Sequence, residues 1–236
     1  MKRLILIFLV VVTTYTSYGQ LGYMDYFIRG CSRDKLFDYP GAIEDYNKTI
    51  ELKSDYVNAY INRGVSKSKI EDFKGAIKDF DKALELMPRN EEIYFNRAIS
   101  KSRLNDLDGA VNDYNTAIEL NPDYIAALFN RGNIKAGQAK HFEAIQDFSK
   151  VIKLSPNNVK ACVKIGTSRY YVGDYSGAIQ NLSKAIELEP DHAQAYYIRG
   201  MAKIVLEQKE GGCIDLNKAK DLGFSTAAKA IEEYCK

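Results

Sequence analysis

The chain has 236 residues with 33 Lys and Arg against 31 Asp and Glu, a formal net charge of +2. The two signs are interspersed, so there is no basic stripe of the kind a phosphate backbone demands, and nucleic acid is not an expected partner. Only two histidines, His141 and His192, are present. Neither has metal-ligand spacing around it, and both are expected to be solvated.

At the start, Met1-Lys2-Arg3 precede an apolar run from Leu4 to Val12, which gives way to polar Thr13 to Ser17 and then Tyr18-Gly19-Gln20. The run is too short to span a bilayer. Its order is that of a secretory signal peptide, residues 1–19, with cleavage after Gly19 and Gln20 first in the mature chain. An uncleaved membrane tether is the alternative. Losing Lys2 and Arg3 leaves equal numbers of acidic and basic residues. No cysteine directly follows the apolar run, which argues against lipid attachment there. The expected location is outside the cytoplasm, in a periplasm or secreted.

From residue 23 onward the sequence repeats itself every 34 residues without slippage. Ala42, Ala76, Ala110, Ala144 and Ala178 recur in register, as do Tyr46, Phe80, Tyr114, Phe148, Leu182 and Leu216, and Pro88, Pro122, Pro156 and Pro190. Such a period means one elongated array of stacked units rather than separate domains. The units are 23–56, 57–90, 91–124, 125–158, 159–192 and 193–226, within a mature domain of 20–236. Each reads as a helical hairpin. In the second unit, Tyr60, Ile61, Val65 and Ile70 recur at helical spacing, then Phe73, Ala76, Ile77, Phe80, Ala83 and Leu84 form a second apolar face. Asp38, Asp72, Asp106 and Asp174 stand where an N-cap is needed, and the prolines close the second helices. Gly30, Gly64, Ala98, Gly132, Gly166 and Gly200 leave room for two helices to approach.

These positions together resemble the tetratricopeptide repeat, over about residues 23–226. The aromatic of the first helix is met by Tyr60, Tyr94 and Tyr196, the small residue by Gly64 and its equivalents, the alanines by Ala76 and Ala83, the later aromatic by Phe80 and the proline by Pro88. The resemblance implies an all-α fold, a right-handed superhelical solenoid of stacked antiparallel hairpins: six units and a C-terminal capping helix, 227–236. It implies no enzyme, no cofactor, no metal and no small-molecule substrate, but a scaffold that binds another protein or peptide segment in a concave groove. Carrying over the groove positions gives one row of Phe27, Ile61, Phe95, Phe129, Val163 and Tyr197 and a second of Cys31, Val65, Ile99, Asn133, Thr167 and Met201, with Tyr170, Tyr171, Ile204 and Val205 toward the C-terminal end. Packing between neighbouring first helices is the competing role for the first row. The lysine, asparagine and arginine clamp of relatives that grip acidic tails is missing, because Phe27, Cys31, Glu92 and Asn96 stand at those places. A structural or assembly role, by end-to-end stacking of the uncapped first unit, is the alternative function.

One departure is systematic. Where the family carries Leu before the small residue, this chain has Arg29, Arg63, Arg97, Arg131 and Arg199, with Ile165 the exception. A charge at a packed position needs a partner, and each second helix offers one: Asp45, Asp79, Asp113, Asp147 and Asp215, with Asn181 the exception. Antiparallel register about the proline turn pairs each aspartate with the arginine of the next unit, Asp79 with Arg97 and Asp113 with Arg131, and leaves Asp147 facing Ile165. That both exceptions fall in one unit points the other way, to an internal pair, but the antiparallel geometry makes the neighbouring-unit pairing the expected one.

The last unit ends in Leu222-Gly223 rather than proline, and Ala227 to Tyr234 adds an amphipathic helix suited to cap the array. Folding that helix back about Phe224 sets Cys235 opposite Cys213, each eleven residues from the turn. In an oxidising compartment the two are expected to join. Cys31 and Cys162 lie in distant units and are expected to stay free.

Overall fold

The structure, a computed structural model, describes residues 21–236. The leader expected at 1–19 lies outside the described residues. Thirteen α-helices and no strand occur among them. By internal contacts the chain divides at Leu104 and Asn105, and the two parts are taken in turn.

The first part holds α1 (Tyr23–Lys35), α2 (Tyr39–Leu52), α3 (Val57–Lys69), α4 (Phe73–Leu86) and α5 (Glu91–Arg103). The second holds α6 (Leu107–Leu120), α7 (Ile125–Gly137), α8 (His141–Leu154), α9 (Val159–Tyr171), α10 (Tyr175–Leu188), α11 (Ala193–Val205), α12 (Lys209–Asp221) and α13 (Ala227–Tyr234). Within each part consecutive helices pack on one another, so each is a stretch of helical solenoid, and α13 covers α12.

Local chemistry sets the turns. The Asp38, Asp72, Asp106 and Asp174 carboxylates each accept from the amide three residues on, at 2.9–3.0 Å. The first helices close with a residue in the left-handed region: Phe37, Glu71, Asn105, Ala139, Gly173 and Glu207, at φ from 59° to 82°. Beside Glu71, the Asp72 amide donates back to the Lys67 carbonyl and the Glu71 amide to that of Ser68, the paired bonds of a Schellman ending. Asp72 thus finishes one helix and starts the next, which is why three residues, 70–72, suffice for the turn. This left-handed column escaped the sequence because only Gly173 advertises it. The second helices α4, α6, α8 and α10 each end two residues before a proline, Pro88, Pro122, Pro156 or Pro190, whose predecessor is pushed out of helical geometry.

Hairpins close where a small residue meets a large one. A Cβ on Gly64 would stand 2.8 Å from the Phe80 ring, and one on Gly132 the same distance from Phe148. Those rings are wholly buried, and full burial of a side chain this large stabilises by about 1.5–3 kcal/mol. Tyr46 holds the same place in the first hairpin, and its hydroxyl donates to Asp34 at 2.6 Å. Burial, with that bond, pushes the phenol well above its ordinary range.

Four of the arginines are paired not with the aspartate of the preceding unit, as expected, but within their own hairpin. Arg29, Arg63, Arg131 and Arg199 each clasp the aspartate of their own hairpin, Asp45, Asp79, Asp147 and Asp215. Arg63 donates through Nε at 2.9 Å and through Nη2 to the other oxygen, a fork on one carboxylate. Asp147, expected to lack an arginine, has Arg131. The reason is steric: the ring seated on Gly64 fixes the register inside the hairpin, so the residues beside that contact, Arg63 and Asp79, must face each other. Two further columns went unread. A second cation one turn on, Arg33, Lys67, Lys135 or Lys203, reaches the same aspartate at 2.8–3.2 Å. The free arm of the arginine does cross to the preceding hairpin, but two residues past the aspartate column: Arg63 to Asn47, Arg97 to Asp81, Arg131 to Asn115 and, past Asn181, Arg199 to Ser183, at 2.7–3.0 Å.

Candidate partner-binding surface

First helices touch one another only lightly compared with their grip on second helices, which leaves one face of each accessible. In the first row, however, most side chains are occupied. Phe27 lies 5.8 Å from the Tyr46 ring and 5.0 Å from Tyr56. Ile61, like Val65 of the second row, packs on the core of Tyr60, Phe80 and Leu84. Phe95 is half-buried. Phe129 sits 5.7 Å from Phe148 and Tyr197 4.7 Å from Phe224. Val163, at 4% exposure, is plain core with Cys162 and Leu182. This row joins neighbouring helices.

Space opens along the second row. In the second part, Tyr170, Tyr171, Tyr197 and Met201 come together with Thr167 and Ile198 around a cleft of about 150 Å³. Tyr171 is 65% exposed yet held, stacked flat on His141 at 4.8 Å, while Tyr170 meets Tyr171 and Tyr175 edge-on. Burial raises the Tyr170 phenol. Aromatic rings fixed in this way offer contact area without loss of rotamer freedom on binding. Asn133 is half-buried, and its side-chain oxygen has no hydrogen-bond partner among the described residues.

A larger cleft, about 370 Å³, lies in the first part between α3 and α5. Val65, Ile99, Phe73 and Phe80 give it an apolar floor, and Ser68, Asn96, Lys69, Glu71 and Arg103 its walls. Val65 and Ile99 were expected on the surface. The cations were not, although their column, Lys35, Lys69 and Arg103, is visible in the sequence.

Neither histidine is simply solvated. His192 caps α11, its Nδ1 accepting from the Ala195 amide at 3.3 Å, and His141 supports Tyr171. No group of His, Cys, Asp and Glu among the described residues could hold a metal ion. Cys213 and Cys235 are bonded, with Cα atoms 5.7 Å apart, while Cys31 and Cys162 are free. Cys31, at one of the places of the missing clamp, instead accepts from Asn62 at 3.4 Å. No described helix is long and apolar enough to cross a membrane.

Two family models match the chain, TPR repeat over 101–138 and 166–203 and tetratricopeptide repeat over 57–90 and 125–158, together more than half of its length. The chain is a tetratricopeptide repeat protein. Solved structures agree with this array. It is similar to MamA (24% identity, 73% of this chain and 94% of that one, TM-score 0.67) and to YrrB, a TPR protein with an unusual peptide-binding site (25%, 78% and 94%, TM-score 0.66). It is also similar to the C-terminal part of a TPR repeat-containing protein from Cytophaga hutchinsonii (19%, 88% and 83%, TM-score 0.74). Among proteins of curated function, none matches. Tetratricopeptide arrays are in general non-catalytic scaffolds for protein–protein interaction.

Proposed function

We propose that this tetratricopeptide array holds a segment of a partner protein along its first helices, outside the cytoplasm. The observation that carries the reading is the cleft walled by Tyr170, Tyr171, Tyr197 and Met201, where a largely exposed ring is nonetheless fixed by stacking. Large, rigid, amphipathic side chains around a concavity are what interface hot spots are made of. The similarity to YrrB adds support, since that relative carries a peptide-binding site. The location rests on the apolar leader at 4–12 and on the Cys213–Cys235 bond, a pairing that persists in oxidising compartments.

Cross-linking capture from cells making the protein tests the surface. Tyr171→Glu abolishes capture while helicity is unchanged, and an unaltered captured set would overturn the assignment. The location has its own test, thiol counting on denatured, unreduced protein recovered from those cells. Two reactive thiols, Cys31 and Cys162, are expected, whereas four would contradict an exported protein.

A further inference from the structure

The cleft between α3 and α5 carries charge that the hairpins do not need. In the column that grips the buried aspartates a cation recurs in both parts: Arg33, Lys67, Lys135 and Lys203. Two residues further along, at the last residue of each first helix, the column reads Lys35, Lys69 and Arg103 in the first part but Gly137, Tyr171 and Val205 in the second. A cation there favours the helix C-terminus, yet α7, α9 and α11 have the same thirteen residues as α3 and α5 without one. Neither Lys69 nor Arg103 has an ion-pair partner among the described residues, and both are exposed. They stand on the two helices that flank the cleft, above the apolar floor of Val65, Ile99 and Phe73. A structural residue should recur with the repeat, whereas a ligand-reading residue need not.

We infer that this cleft binds a polypeptide segment in which one large apolar side chain is flanked by carboxylates, the apolar group on the floor and the carboxylates on Lys69 and Arg103. The inference rests on the array being a protein-binding module, but it places a second, chemically distinct site on it. Charge complementarity selects this occupant: the walls carry two cations and one carboxylate, Glu71, so an acidic segment is drawn in and a basic one repelled. A volume of about 370 Å³ suits a Leu or Phe side chain with adjoining backbone. Ser68 Oγ and Ser100 Oγ, 2.9 Å apart, tie α3 to α5 and keep the gap from widening. Glu71 sits in the left-handed turn and lowers the affinity for an acidic segment by repulsion.

The test is an array of nine-residue peptides with a central Leu, Phe or Ala flanked on both sides by Asp, Asn or Lys, probed with the full mature chain. The wild type prefers Leu or Phe between Asp residues by at least tenfold over the Asn and Lys series. Lys69→Glu with Arg103→Glu inverts the preference toward Lys flanks, Glu71→Gln tightens Asp-flanked binding two- to threefold, and Lys184→Glu, on an exposed helix face, changes nothing. Circular dichroism confirms the fold of each variant. No flank preference, or a preference that survives charge reversal, overturns the inference. Tyr171→Glu separates it from the broader reading: peptide binding that is lost with Tyr171→Glu but untouched at Lys69 and Arg103 rejects this site and leaves the aromatic surface standing.

Discussion

Hairpin α3/α4 and hairpin α9/α10 are built to one plan, thirteen residues then fourteen, yet they differ at the buried pair. In α3/α4 the Asp79 carboxylate is buried between Arg63 and Lys67. In α9/α10 the same places hold Ile165 and Asn181. Ile165, 2% exposed, joins Ala144 and Phe148 of the preceding hairpin in one apolar cluster, and Asn181 keeps a buried side-chain oxygen without a partner among the described residues. Arg169, which corresponds to Lys67, turns to the capping Asp174 at 3.6 Å. The hairpin closes without its ion pair because Gly166 still receives Leu182. Small-against-large packing therefore makes the hairpin, and the charges act on top of it, as a device for register rather than a requirement for folding.

The sharpest way to break that comparison is to unpair a charge. Asp79→Ala leaves two partly buried cations facing each other and is expected to cost about 3 kcal/mol, read from urea denaturation, against less than about 1 kcal/mol for Asn181→Ala at the equivalent place. Filling the close approach comes next. Gly64→Ala and Gly166→Ala should each cost about 1–3 kcal/mol, the second more than the first, because Gly166 faces the branched Cγ of Leu182 at 2.6 Å and a backbone oxygen at 3.3 Å rather than a ring edge. If either were neutral, packing would not be what closes the hairpin.

Copying one hairpin into the other sharpens the comparison. Arg63→Ile with Asp79→Asn should return stability to within about 1 kcal/mol of the wild type, although each single change is costlier, and the double-mutant cycle measures the coupling. A double variant as damaged as the sum of its singles would make the ion pair essential. The smallest expected effect is at the turn. Gly173, at φ 82°, is the one glycine of a column that elsewhere holds side chains in the left-handed region. Gly173→Ala should cost about 1 kcal/mol and Ala139→Gly gain up to about 1 kcal/mol, seen as opposite shifts in Tm.

Much of this molecule is legible in one dimension. The 34-residue register, the capping aspartates, the prolines and the arginine and aspartate columns lie in the sequence because each answers a local need: a free amide, a helix end, a charge at a packed place. Cys213 and Cys235 could be set opposite each other for the same reason, since an antiparallel fold about Phe224 needs only counting. The pairing of charges could not be read in this way. Asp79 is nearly as far in sequence from Arg63 as from Arg97, sixteen residues against eighteen, and each arginine lies across a turn. Only the ring of Phe80 resting on Gly64 chooses between them, because that contact fixes how the two helices are rotated about their axes. Likewise the groove residues were named as types at positions. Whether Phe129 and Tyr197 are spent on neighbouring rings, or Lys69 and Arg103 are left free beside a cleft, depends on how close the next helix comes. Periodicity determines which face a residue lies on, and the spacing between packed helices determines what remains there for a partner to touch.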